Sequence, residues 1–161
     1  MGTAAHRAGK VERAEALLKE ALALCRKVGM KRFKGYCLLA LGDIAGQRGS
    51  LPGSHALFLE GLKTMRELNE SESLLGGITD FALLLAQEGR ADMATRLLSA
   101  ARTLCEATQA RVAAQRPRRV EAALAEARRS LGESRFKRCQ REGVLLSLQQ
   151  ATELALSEIV Y

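Results

Sequence analysis

Catalysis needs side chains of matched pKa brought together, and few residues of this 161-residue chain qualify. Its two histidines, His6 and His55, have no serine or cysteine nucleophile beside them in an arrangement that suggests a base. His55 lies in a helix-forming stretch and reads as a helix-surface residue rather than a general base. Asp43 and Asp80 fall on separate apolar-striped segments at unlike positions, a weak basis for a paired acid and base. Cys25, Cys37, Cys105 and Cys139 contain no Cys-x-x-Cys pair, and with two histidines a zinc site is not expected. The thiols read as buried and reduced. Gly76-Gly77 suits close packing or a kink better than a phosphate cradle. No Gly-x-x-x-x-Gly-Lys-Ser/Thr loop occurs. The expectation is a non-enzymatic protein with no catalytic residue, metal or cofactor.

The composition says what would position any site. Leucine (27) and alanine (26) dominate, whereas valine and isoleucine together supply nine residues. Strong helix formers with few β-branched residues argue against a sandwich, a barrel or a large sheet. Apolar residues make up 47%, enough for a real core. Aromatics at 4% offer no base-stacking platform. No stretch reaches the roughly 18 uncharged apolar residues of a membrane helix, and the N-terminus lacks a signal-peptide core, so a cytoplasmic protein is expected. Residues 1–34 hold nine basic and three acidic groups, net +6; residues 35–110 net −3; residues 111–161 net +4.

A step of 40 organises the first two thirds of the chain. It relates Gly9, Gly49 and Gly89, then Ala14, Ser54 and Ala94, then Leu17, Leu57 and Leu97. It also relates Leu18, Phe58 and Leu98; Ala21, Gly61 and Ala101; and Cys25, Met65 and Cys105. Leu17, Leu18, Ala21, Leu22 and Cys25 form one helical stripe, and the later copies repeat it. A second helix precedes each glycine, with Leu38 matching Ile78 and Leu41 matching Phe81. Each glycine suits a helix C-terminus in the left-handed conformation. The unit is helix, tight turn, helix, and neighbours must stack to bury its stripe.

The run Leu38-x-x-Leu41-Gly42-x-x-Ala45-x-x-x-Gly49, continued by Ser54, Phe58 and Gly61-Leu62, resembles the tetratricopeptide repeat. Ile78, Phe81-Ala82, Leu85, Gly89, Ala94, Leu98 and Ala101 resemble it again, and the first copy keeps Gly2, Gly9, Ala14, Leu18 and Ala21-Leu22. The period departs from the family's 34 residues. The resemblance implies an all-α, right-handed helical-hairpin solenoid of about two and a half units over residues 1–110. A HEAT-like solenoid is the alternative architecture.

Residues 111–161 form a different element, expected to be a helical C-terminal cap. Pro117 suits a first helical turn, and Val120, Leu124, Ala127 and Leu131 make a stripe ending at Gly132. A shorter segment carries Phe136 and Cys139 before Gly143, and a last helix starts at the N-cap Ser147. Leu131-Gly132, Phe136, Glu142-Gly143, Leu146-Ser147-Leu148, Ala151 and Leu154-Ala155-Leu156 resemble the C-terminal end of large bacterial regulators. In those proteins an AAA-type ATPase precedes tetratricopeptide-like helices, often with a LuxR-type or cyclase-like domain elsewhere. The resemblance implies the repeat-bearing end of such a regulator, or a stand-alone relative.

In the tetratricopeptide family the first helix of each unit lines a concave groove. This implies a partner-binding groove of Tyr36, Leu39, Asp43 and Gln47, continued by Thr79, Leu83 and Gln87. Such a mixture suits a protein or peptide partner, with a small effector as the alternative occupant. Arg116, Arg118 and Arg119 form the densest basic patch, a contact for an acidic partner or nucleic acid. Without a reading motif, specific base recognition is not expected. The first unit has little chain before Gly9 to cover its stripe: either a preceding segment of a longer protein covers it, or two chains cover each other's ends, for which an isologous dimer through Leu17 and Leu18 is the simplest closed solution.

Overall fold

The computed structural model describes residues 2–108 and 117–159, with side chains over 10–108 and 117–158. Among these residues there are eight helices and no strand: α1 Gly2–Val28, α2 Lys31–Gln47, α3 Leu51–Glu67, α4 Ser71–Gln87, α5 Ala91–Thr108, α6 Pro117–Leu131, α7 Glu133–Val144 and α8 Leu148–Ile159. The chain is all-α.

The first five helices follow a step of 20, half the sequence period. Helices α2 to α5 begin at Lys31, Leu51, Ser71 and Ala91. The turns before them place Gly29, Gly49, Asn69 and Gly89 at φ +74°, +78°, +55° and +78°. At each turn the amide just after the left-handed residue donates back to a carbonyl in the last helical turn: Met30 to Cys25, Ser50 to Ala45, Glu70 to Met65 and Arg90 to Leu85, at 2.9–3.0 Å. This closed helix end requires a left-handed residue, which glycine adopts without cost and asparagine with little. Gly9 does not share that setting: it lies inside α1, which runs unbroken for 27 residues. A lone glycine costs a helix only about 1 kcal/mol, and its neighbours here are helix formers. The expected hairpin about Gly9 is therefore replaced by one long helix.

The turns give a paired prediction. Gly49→Ala should lower stability by about 1 kcal/mol, because a Cβ is disfavoured at positive φ. Asn69→Gly should leave stability unchanged or raise it slightly. Urea unfolding of both variants checks the opposite signs.

From α1 to α7 each helix packs on the next, and α2 also touches α4. Small residues set these approaches. Phe58 of α3 lies across Gly42 of α2, and Leu39 of α2 sits in the notches left by Gly61 of α3 and Gly77 of α4. Buried Ser54 donates to the Gly42 carbonyl at 2.7 Å, which leaves no orphan hydroxyl at the crossing. Two polar contacts between successive hairpins occupy equivalent positions 40 residues apart. Glu15 pairs with Arg48 at 2.6 Å, and His55 meets Glu88 at 2.6 Å.

The C-terminal helices join the same core. Helix α6 packs on α4 and α5, α7 lies along α5, and α8 reaches α3, α4 and α5. One apolar cluster runs from Leu39 through Phe58, Phe81 and Leu98 to Leu124, Phe136 and Ala155. Gly132, at φ +75°, lets α7 follow α6 directly. Ser147 and Gln150 cap α8 reciprocally: the Gln150 amide donates to Ser147 Oγ at 3.2 Å, and the Ser147 amide to Gln150 Oε1 at 2.9 Å. Such a box contributes about 1 kcal/mol. Arg90 of the α4–α5 turn pairs with Glu158 and so fixes the far end of α8.

Candidate partner-docking surface

The expected groove is largely closed. Leu39 is buried because it fills glycine notches on two neighbouring helices. Thr79 is buried beside Val120 and Leu124 of α6, and its hydroxyl donates to the Leu75 carbonyl at 2.8 Å. Leu83 lies within the central apolar cluster. These three residues are thus packing residues and present no surface to a partner. Gln47, Gln87 and Tyr36 remain exposed.

Helix α6 closes the centre of the groove through Arg119. Its guanidinium donates to both carboxylate oxygens of Asp43, at 3.1 and 3.4 Å, and Gln47 donates to the same carboxylate at 2.8 Å. Asp43, Asp80 and Arg119 line one spot whose cavity volume is about 0 Å³. The two aspartates do meet the same spot, but it has no room for a substrate between them. Of the basic patch, Arg119 is committed to this internal pair, Arg118 is exposed, and Arg116 lies outside the described residues. Arg119→Ala should cost about 1–2 kcal/mol, the scale of a charge-assisted hydrogen-bonded pair. It should also raise amide exchange at the start of α6, measured by deuterium uptake.

His55 is not a free surface histidine. Only 18% of its side chain is exposed, Glu88 holds its Nε2, and its ring meets Phe81 edge-on at 5.4 Å. It sits in an open hollow of about 790 Å³ lined by Leu51, Pro52, Ala56, Leu59, Glu88 and Arg90, a lining without a nucleophile. The apolar recess between α4, α5 and α6 measures about 240 Å³, below the range of most small-molecule pockets. All four cysteines are buried. Burial pushes the Cys37 and Cys139 thiols up, with Cys25 adding to the first and Asp92 to the second. They remain protonated and unreactive near neutrality. Among the described residues no group of three or more His, Cys, Asp or Glu side chains could hold a metal, and no helix is long and apolar enough to cross a membrane.

Exposed apolar surface concentrates at the N-terminal end. Leu24, Val28, Met30, Phe33 and Tyr36 bracket the α1–α2 turn, and Phe33 is 53% exposed. The Phe33 and Tyr36 rings meet edge-on at 6.3 Å. Arg32 lies over the Tyr36 ring at 5.8 Å, donates to its hydroxyl at 3.3 Å, and pairs with Glu70 at 3.0 Å. The Tyr36 contact, more than Glu70, raises the Arg32 pKa further above its ordinary value, so the cation is permanent. An exposed Phe–Tyr–Arg group with fixed geometry has the composition of an interface hot spot. Sequence reasoning found Tyr36 but missed Phe33 and Arg32. Their signal was an aromatic pair three residues apart on a helix start in a chain with 4% aromatics.

Family models, curated proteins and solved structures were compared with the chain, and none matches it.

Proposed function

We propose that this chain is a non-enzymatic, tetratricopeptide-like helical scaffold that binds another protein through the open end of its stack. One observation carries the reading: a contiguous Phe33–Tyr36–Arg32 group stands exposed beside the first turn, while Arg119 of α6 closes the centre of the inner groove. Repeated Schellman-type turns at a 20-residue step and glycine notches between helices support the stacked-hairpin architecture. The resemblance of the C-terminal helices to bacterial regulators suggests that the scaffold serves signalling or transcriptional control in the cytoplasm. Rigid aromatic anchors bind with little loss of rotamer freedom, so the end group contributes most of the affinity.

The experiment is quantitative capture with the whole chain as bait. Phe33→Ala/Tyr36→Ala should reduce recovery of each specific partner about tenfold or more, whereas Gln47→Ala/Gln87→Ala should leave it unchanged. Equal recovery by wild type and the aromatic variant would remove the end group as the docking site.

A further inference from the structure

The repeat shows what the outer face of α1 lacks. In α3 the positions Ser54, Phe58, Thr64 and Met65 are buried, and α2 lies on them: Gly35 abuts Thr64 and Met65, and Gly42 abuts Phe58. Forty residues on, Ala94, Leu97, Leu98, Ala101 and Cys105 are buried in α5, on the side where α4 packs. Three of these columns lie open in α1, at Ala14, Leu17 and Leu24, whereas Cys25 is buried and Leu18 and Ala21 are half-buried. Leu17 is 57% exposed where Leu97 is 0%, and Leu24 is 61% exposed where Thr64 is 6%. Leu18 differs from Leu17: it is half-buried against the small cluster of Leu22, Cys37, Leu38 and Leu41, so only Leu17 of that pair faces outward.

We propose that the α1 helix of a second copy covers this face, the two helices lying antiparallel in an isologous dimer. The outward stripe is exposed Leu17, Leu24 and Val28 with half-buried Ala21 at its edge, where it also touches the α1–α2 cluster; the intervals are 4, 3 and 4. That spacing reads the same from either end, so antiparallel pairing lays the stripe on itself. Leu17 then meets the partner's Val28 at each end, and Ala21 meets the partner's Leu24, small against large, at the centre. Charge complements the register. Glu20 and Lys27 flank the same side of the stripe, and neither forms an ion pair among the described residues. In this pairing Glu20 lies within about 3 Å, along the axis, of the partner's Lys27, and symmetry makes the pair twice. The repeat already contains that arrangement: Glu60, the equivalent of Glu20 in α3, takes Lys34 from the covering helix α2 at 3.2 Å. An anionic bilayer would satisfy Lys10, Arg13 and Lys27 but would set Glu20 against like charge, which favours protein over lipid. The dimer leaves Phe33 and Tyr36 outside the paired stripe, so it goes beyond the docking reading and does not depend on it.

Sedimentation equilibrium of the full chain tests the proposal. Wild type should sediment at twice 17.5 kDa. Leu24→Lys and Glu20→Lys should each weaken the dimer by at least about tenfold. The swap Glu20→Lys/Lys27→Glu should restore affinity to within about threefold of wild type. All these positions are exposed, so far-ultraviolet circular dichroism should be unchanged. A monomer at concentrations up to about 100 μM would overturn the dimer. So would a dimer indifferent to Leu24→Lys, a swap without rescue, or a monomer that co-sediments with phosphatidylserine vesicles.

Discussion

Phe58→Ala is expected to destabilise the fold by about 4 kcal/mol. Phe58 is fully buried. It crosses Gly42 of α2 on one side and meets Phe81 of α4 on the other, with ring centroids 5.7 Å apart. Truncation removes the transfer free energy of the ring and leaves a cavity that two helices border. Neither can collapse into it readily, because Leu39 and Ser54 already fix the crossing of α2 and α3. A second substitution makes the prediction sharper. Gly42→Ala alone sets a Cβ 3.1 Å from the Phe58 ring, a strain that opposes the roughly 1 kcal/mol alanine gains over glycine in a helix. In the Phe58→Ala background the same methyl group enters the cavity and should recover part of the loss. Chemical unfolding of the four proteins in the cycle measures this coupling, and strict additivity would show that the two residues do not share one contact.

Gly143→Ala is expected to cost about 3 kcal/mol, the upper end of overpacking effects. Gly143 lies where α7 approaches α5 most closely, and a Cβ there would collide with the backbone carbonyl of Arg96. A side chain could rotate away from such a clash; a helical carbonyl cannot. Helix α7 would have to lift from α5, loosening the Arg96–Glu142 and Arg135–Asp92 pairs that flank the contact and uncovering Phe136 and Cys139. Thermal unfolding gives the stability change. Reaction of Cys139 with a thiol reagent under native conditions reports the local displacement. A variant as stable as wild type, with Cys139 still unreactive, would place α7 differently on α5.

Local chemistry made the helices legible. The Leu/Ala stripes, Pro117 at the start of α6, Gly132 between α6 and α7, and Ser147 before α8 each act through near neighbours in sequence. The true step was harder to see. Gly29, Gly49, Asn69 and Gly89 hold one backbone conformation, but asparagine breaks the glycine identity, and Gly9 imitates it without making a turn. The equivalence of Glu15–Arg48 with His55–Glu88 was hidden because acid and base exchange places. The groove was misjudged for a different reason. Its closure depends on Arg119 meeting Asp43, 76 residues earlier, and on Leu39 entering notches on α3 and α4. No local pattern encodes such contacts. Leu17 and Leu18, adjacent in sequence, take opposite environments because 100° of helical turn separates them.

Deuterium exchange of the whole chain, alone and in complex with a captured partner, tests most directly that binding uses the end of the stack and not its inner groove. The predicted result is protection confined to the segment around Met30, Phe33 and Tyr36, with uptake near Gln47 and Gln87 unchanged. Protection of the α2 and α4 C-terminal turns, with the Phe33–Tyr36 segment exchanging as in the free chain, would contradict it.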